Sequence, residues 1–400
     1  MSRSRCRLQP RRLAEVAEVV TGTTPSTSCP EYYGGEVPFV GPAELGDTRP
    51  IESARKTLSA AGAAHARLVP AGSVLVCCIG SIGKTGFAGC RLATNQQINA
   101  LIFDPKQVFP RYGFYYLRSL ESTLRAQGKS TTVSILPKYR FQELPLLIPP
   151  LSEQRRITDL LDRADAIRRK RAQSVALVGE LLRSAALELF GDPVTNPRGW
   201  PTVRIEDLCD RIVDCVNKTA PTVDSVTPYK MIRTTNVRSG QIRLDDAKYV
   251  TQQTFAAWNR RCVPRPGDVI LTREAPVGEA GILLTEDPVF LGQRLVLYRP
   301  KPERLLPEYL VHALQGQDLQ EQFAAHGAGS TVKHLALPVC RALQLRVPPL
   351  SLQRRFAELA RIVHKKSRRY EQARDESDSL FQSLLGQAFA QAAAQSALAE

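Results

Sequence analysis

Nothing in this 400-residue chain approaches the ~20 consecutive apolar residues that a membrane-spanning helix needs, although 43% of its residues are hydrophobic. The basic start, Met1-Ser2-Arg3-Ser4-Arg5, lacks the apolar stretch of a secretory signal, so a cytoplasmic location is expected. Disulfide and zinc frameworks are missing too. The nine cysteines form no CxxC pair; Cys77 and Cys78 are adjacent, and Cys209 and Cys215 lie six apart. His65, His312, His326, His334 and His364 do not cluster with them. Structural zinc needs four ligands in a compact set, so the expectation is no metal and reduced, mostly buried thiols. Acidic residues are in deficit, 39 against 54 Lys and Arg, for a net charge of +15. Such a field suits a polyanion, nucleic acid first; a solubilising surface or a face for an acidic protein partner is the alternative.

Proline is absent, and glycine nearly so, from residues 152–190 and 351–389, which therefore read as long helices. Each follows the same phrase. Pro149-Pro150-Leu151-Ser152-Glu153-Gln154-Arg155-Arg156 returns 199 residues later as Pro348-Pro349-Leu350-Ser351-Leu352-Gln353-Arg354-Arg355, with seven of eight positions identical. The chain is thus written twice, which fits two or three domains for its length. Proline stops the preceding segment, and Ser152 and Ser351 are placed to cap the helices. Gly191-Asp192-Pro193 should end the first one. Ile157, Leu160, Ala164, Ile167, Val178, Leu181 and Ala185 align with Phe356, Leu359, Val363, Lys366, Ser377, Leu380 and Leu384 as a heptad seam. Each helix would be ~57 Å long. With a globular segment reversing the chain between them, an antiparallel pair is expected.

The intervening halves share an order of parts. In the first, Leu13 to Val20 reads as a short helix, Val37–Val40, Ser73–Ile79 and Ile98–Phe103 as strands, and Tyr112 to Leu124 as a helix. In the second, Val203 to Val213 resembles the opening helix and Tyr229–Arg233 the first strand. Val69–Leu75 corresponds to Val263–Ile270, Ile82–Gly86 to Val277–Gly281, Gln96 to Gln293, and Thr132-Val133 to Thr331-Val332. The mixture predicts α+β domains with irregular, curved sheets.

This order of variable domain, Pro-Pro-Leu-Ser-x-Gln-Arg-Arg helix, variable domain and second such helix resembles the specificity subunit of type I restriction-modification systems. Smaller phrases are similar to that family as well: Val20-Thr21-Gly22-Thr23-Thr24-Pro25-Ser26, Phe190-Gly191-Asp192-Pro193 before Asn196-Pro197-Arg198-Gly199-Trp200-Pro201, Ile232–Val237 and Gly267–Arg273. The resemblance covers nearly the whole chain. It implies two similar mixed α/β target-recognition domains, residues 1–149 and 192–348, separated by two long antiparallel coiled-coil helices, residues 150–191 and 349–391, with a tail at 392–400. It further implies a non-catalytic reader of a split site in double-stranded DNA, docking two methyltransferase subunits and restriction subunits. S-adenosylmethionine, ATP and Mg would belong to those partners, which methylate adenine N6 and cut unmethylated DNA.

The catalytic lookalikes are weak. Gly80-Ser81-Ile82-Gly83-Lys84-Thr85 resembles a P-loop, but the required earlier glycine is Cys78, and the repeat at Val277-Gly278-Glu279-Ala280 has no lysine. A strand-to-strand turn with Lys84 on a DNA phosphate is the better reading; an NTP-using enzyme is the rival. Asn196-Pro197-Arg198-Gly199 fails an adenine methyltransferase's Asn-Pro-Pro-aromatic at its last two positions. DNA reading then falls to residues able to pair with base edges. In the first domain these are Lys84, Asn95, Gln96, Gln97, Lys129, Lys138 and Arg140; in the second, Arg233, Asn236, Arg238, Arg273, Gln293, Arg294 and Lys333. Any of them could instead be solvated or bonded to its own turn. Arg168, Arg169, Lys170 and Arg171, with Lys365, Lys366, Arg368 and Arg369, could follow the backbone of the unread DNA spacer. The alternative is a solvated helix face paired with Asp162, Asp165 and Glu371. A duplicated DNA-binding adaptor of another defence complex and a scaffold for acidic proteins also stay open.

Overall fold

The computed structural model describes residues 10–127, 134–326 and 334–396, setting aside the side chains of Gln127 and 391–396. Lys129, Lys333, Thr132-Val133 and Thr331-Val332 lie outside the described residues. The chain divides into two compact units, one running to Gln173 and resuming at Glu371, the other Ser174–Tyr370. Two long helices, Leu151–Phe190 and Leu350–Ser396, each give one half to each unit.

In the first unit a five-stranded sheet runs in the order Ala17–Thr21, Ile98–Phe103, Val74–Cys77, Thr85–Ala88, Pro50–Ile51. A four-stranded sheet built around Tyr33–Val40 and Leu92–Thr94 accompanies it. The predicted opening helix is a single turn, Leu13–Val16, and the chain then turns into a strand. Val19, Val20 and Thr21 explain the correction: β-branched side chains favour a pleated surface, and Val19 pairs with Leu101 while one short helix has little stability of its own. The predicted Tyr112–Leu124 helix is two helices, Pro110–Ser119 and Glu121–Gln127. The first of them packs its aromatic face, Tyr112, Phe114, Tyr115 and Tyr116, into the main core.

The second unit repeats the plan. Its six-stranded sheet runs Cys209–Asp214, Leu295–Pro300, Val269–Arg273, Val277–Ile282, Gly240–Ile242, Val237–Arg238. Val203 to Val213 holds no α-helix; it is a strand, one short helical turn and the strand Cys209–Asp214, which pairs with Leu295–Pro300. A repeated glycine shows how closely the two frames agree. Gly83 (φ +85°) and Gly278 (φ +93°) both take a left-handed backbone, and an added Cβ would stand 2.8 Å from Glu121 O in one unit and from the Gln320 side chain in the other. Glycine takes that angle without strain at both places, and at Gly83 the backbone oxygen also leaves no room for a Cβ.

The joint at each helix start is made by glutamine rather than serine. The helices begin at Leu151 and Leu350, so Ser152 and Ser351 fall inside the first turn, and Gln154 N–H donates to Pro150 O (3.0 Å). Gln154 is fully buried; its Oε1 accepts from Phe109 N–H (2.7 Å) and its Nε2 donates to Gln107 O (2.9 Å) and Pro149 O (2.8 Å). Gln353 repeats this on Leu306 N–H (2.9 Å), Arg304 O (3.1 Å) and Pro348 O (2.9 Å). At the other end, Gly191 (φ +81°) stops the first helix as expected. The Asn196–Trp200 phrase then folds back over it, with Trp200 Nε1 donating to Phe190 O (2.7 Å) and Arg198 to Glu188 O (2.6 Å).

The helices run antiparallel. In the first unit Arg168 lies over the Phe381 ring (4.9 Å), and Arg171 donates to Ala373 O (2.6 Å), so rising numbers on one helix meet falling numbers on the other. The seam differs from the predicted one. Ala164 is buried and Ile157 packs against the core, and Val178 and Ala185 are half-buried, but Leu160, Ile167, Leu181 and Leu380 are about half exposed and Lys366 is exposed. Gln154, Thr158, Leu161 and Asp165 take the inner stripe instead. Buried polar residues with bonded partners define that face, so hydrophobic spacing alone picks its neighbour.

In the second unit, burial against the Phe190 and Phe356 rings (6.2 and 5.0 Å) pushes the His312 imidazole down to about 4. The unfolded value is ~6.5. A depressed folded value means the neutral ring contributes stability fully present above ~6.5 and lost as pH falls toward 4. His312→Leu is expected to flatten the acid-side fall in urea-unfolding free energy by ~3 kcal/mol between neutral pH and pH ~4. Equal slopes in the two proteins would contradict this.

Candidate nucleic-acid interface

At one end of the main sheet in the first unit, three loops meet through backbone bonds. Cys78 N–H donates to Gln97 O (2.8 Å), Leu136 N–H to Cys78 O (2.8 Å) and Gly80 N–H to Ser134 O (2.9 Å). The loop Asn95–Gln97, the turn holding Lys84 and the segment leading to Lys138 and Arg140 are therefore neighbours. Gln96, Lys138 and Arg140 are exposed, and Lys84, Asn95 and Gln97 are half-buried. Several are engaged: Asn95 Nδ2 donates to Gln97 Oε1 (2.9 Å), Gln97 Nε2 to Ile79 O (3.4 Å), and Thr24 to Gln96. Lys84 sits in a turn between the antiparallel strands Val74–Cys77 and Thr85–Ala88, without the helix that follows the glycines of a P-loop. Burial pushes the Cys78 thiol up to about 12, which removes it as a thiolate ligand or nucleophile at neutral pH. Ile135 and Tyr139, exposed beside these loops, are residues the sequence reading misses.

The second unit has the same frame. Arg273 N–H donates to Arg294 O (2.8 Å), and Leu335 N–H to Arg273 O (3.1 Å). Arg273 thus stands where Cys78 does, and Arg294 where Gln97 does. Gly292 N–H donates to Ile232 O (2.7 Å), which brings the Arg233 segment alongside. Arg233 is half-buried and tied to Asp246 (3.2 Å), while Arg238 is exposed on the sheet's edge strand. Asn236 is fully buried, with Nδ2 on Asp246 Oδ1 (2.7 Å) and Oδ1 on Arg233 N–H (2.8 Å). Both ends of its amide thus make hydrogen bonds inside the fold. Gln293 is half-buried, Arg294 exposed and Arg273 buried. Glu274 and His334 complete the cluster: Glu274 Oε2 is 3.0 Å from Arg294 Nε, and Oε1 is bonded to His334 Nδ1. Nothing in the sequence couples residues 274 and 334 in advance.

The two basic helix runs differ. Arg168 and Arg169 are held by the fully buried Asp165 (2.8 Å each), and Arg171 is held by Ala373 O. With Arg49 and the exposed Lys170, the first two line a groove of about 820 Å³. In the second run Lys365, Lys366, Arg368 and Arg369 are all exposed, with Arg368 3.7 Å from an equally exposed Asp245. Among the described residues no group of three or more His, Cys, Asp or Glu could hold a metal ion, and no helix is long and apolar enough to cross a membrane.

The family model described as the type I restriction modification DNA specificity domain matches the chain twice, at residues 7–176 and 197–368. The MjaIX specificity subunit of a Methanocaldococcus jannaschii type I restriction enzyme is 28% identical over 225 residues, 50% of each chain. The match thus spans about half the length of that relative. The MjaVIII specificity subunit of the same organism is 21% identical over 69% of this chain and 67% of its own. The crystal structure of a type I restriction-modification S subunit from M. genitalium has the same fold, with a TM-score of 0.62 at 14% identity over 96% of this chain and 97% of that one. Two domain matches covering most of its length place the chain in the type I restriction-modification DNA specificity family.

Proposed function

We propose that this chain is the non-catalytic reader of a type I restriction-modification complex, each unit reading one half of a split site in double-stranded DNA. One observation carries the reading: the same strand-end frame occurs twice, presenting Gln96 and Gln97 in one unit and Gln293 and Arg294 in the other. A repeated scaffold with altered tips is what recognition of two unlike half-sites requires, because base-edge contacts specify while the frame positions. Residues 1–149 and 192–348 serve as the target-recognition domains, and the long helices set their separation. Apolar side chains exposed on those helices, among them Leu160, Ile167 and Leu380 in the first unit and Leu177, Leu181 and Ile362 in the second, support docking of methyltransferase subunits. Those partners would carry S-adenosylmethionine, and restriction subunits ATP and Mg.

Mapping N6-methyladenine in host DNA with and without the gene tests this. A two-part motif, methylated in both halves and lost on deletion, is expected. An unbroken motif, or methylation indifferent to the deletion, refutes the proposal.

A further inference from the structure

Arg294 is an exposed predicted reader whose guanidinium is paired with a carboxylate that is itself held. Its backbone is left-handed (φ 69°), and its side chain is about half exposed. Glu274 holds its Nε at 3.0 Å and is held in turn by His334. With Nε beside the carboxylate, the two terminal nitrogens form a planar fork at the far end of the guanidinium. That fork matches guanine O6 and N7, the most frequent specific contact in the major groove. The carboxylate also offsets the charge that would otherwise draw the guanidinium to the nearest phosphate, and it fixes the rotamer.

The equivalent place in the first unit has no such fork. Gln97 accepts from Asn95 at one end of its amide and donates to Ile79 O at the other. Arg273, joined to Arg294 by a backbone hydrogen bond, is only 8% exposed, and its Nε has no hydrogen-bond partner among the described residues.

We infer that Arg294 determines a guanine in the half-site met by the second unit, and that Glu274, locked by His334, is the positioning residue that aims it. The inference rests on the reading of the chain as a split-site DNA reader. The test uses the complex assembled with its methyltransferase subunits and a DNA library varied one base at a time across both half-sites. The wild type should prefer guanine at one position by roughly 10- to 100-fold. Arg294→Gln and Arg294→Lys should both erase that preference, since lysine keeps the charge and loses the fork. Glu274→Gln should weaken the preference while the salt dependence of binding stays as in the wild type. All positions in the other half-site should be untouched.

An unchanged profile in Arg294→Gln overturns the inference. So does a uniform loss at every position with a shallower salt slope, the mark of a phosphate contact. Should Glu274→Gln fail to fold, Arg294→Lys decides alone, because its side chain is exposed. A wild-type complex with no split motif would bring down the underlying reading instead, and is recognisable before any variant is made.

Discussion

Gln154→Leu is expected to destabilise the first unit by roughly 3 kcal/mol or more, and Gln353→Leu the second by a similar amount. Leucine fills most of the glutamine's space, so little of the loss comes from a cavity. The loss comes from the three backbone groups each glutamine satisfies: an N–H at Phe109 or Leu306 and two carbonyls, at Gln107 and Pro149 or Arg304 and Pro348. Each buried polar group left without a partner costs ~1–3 kcal/mol, a large share of the ~5–15 kcal/mol that keeps a domain folded. Neighbours in the same phrase should matter far less. Arg156 pairs with Glu153 at the surface, and Arg156→Gln is expected to stay within ~0.5 kcal/mol of wild type. Denaturant unfolding, with amide exchange at Phe109 and Leu306, reads the effect. A leucine variant as stable as the arginine variant would show that the joint is held by something else.

How far the sequence discloses the fold depends on what each element rests on. The long helices are legible because proline is absent from them and glycine nearly so, and the ends of the first because Pro150 and Gly191 act locally. The opening helix is not legible. Leu13–Val20 has a helical pattern, yet its second half pairs with Ile98–Phe103, eighty residues away. Local propensity yields to a partner it cannot see. The seam fails for another reason. Gln154 and Asp165 sit inside with bonded partners, while Leu160 and Ile167 face outward, so apolar spacing points one position off.

The site is legible in outline. Aligning the halves brings Gln97 opposite Arg294, and the backbone bonds repeat there. Residue type then misleads in one direction and helps in another. Asn236 has the right chemistry for reading adenine, yet it is buried and bonded to Asp246 and its own turn. Glu274, an acid in a basic protein, draws no attention until its distance to Arg294 is known.

The exposed second basic run should carry more of the salt-dependent binding than Arg168, Arg169 and Arg171 of the first. Replacing Lys365, Lys366, Arg368 and Arg369 together with glutamine is expected to lower the slope of log affinity against log salt by ~2 to 4 in the assembled complex, with fold stability nearly unchanged. All four side chains reach solvent, so each is available to a phosphate, and such contacts weaken binding to every sequence alike. The same change at Arg168, Arg169 and Arg171 should act on the fold instead. Their loss strips Asp165, a fully buried carboxylate, of both hydrogen-bonded cations and leaves the Thr48 hydroxyl (2.6 Å) as its hydrogen-bond partner among the described residues. Breaking a buried pair from one side costs ~3–5 kcal/mol, so the first-run variant should unfold earlier while its salt slope moves little. If the second-run variant keeps the wild-type slope, these lysines and arginines are a solvated face and the DNA spacer passes elsewhere.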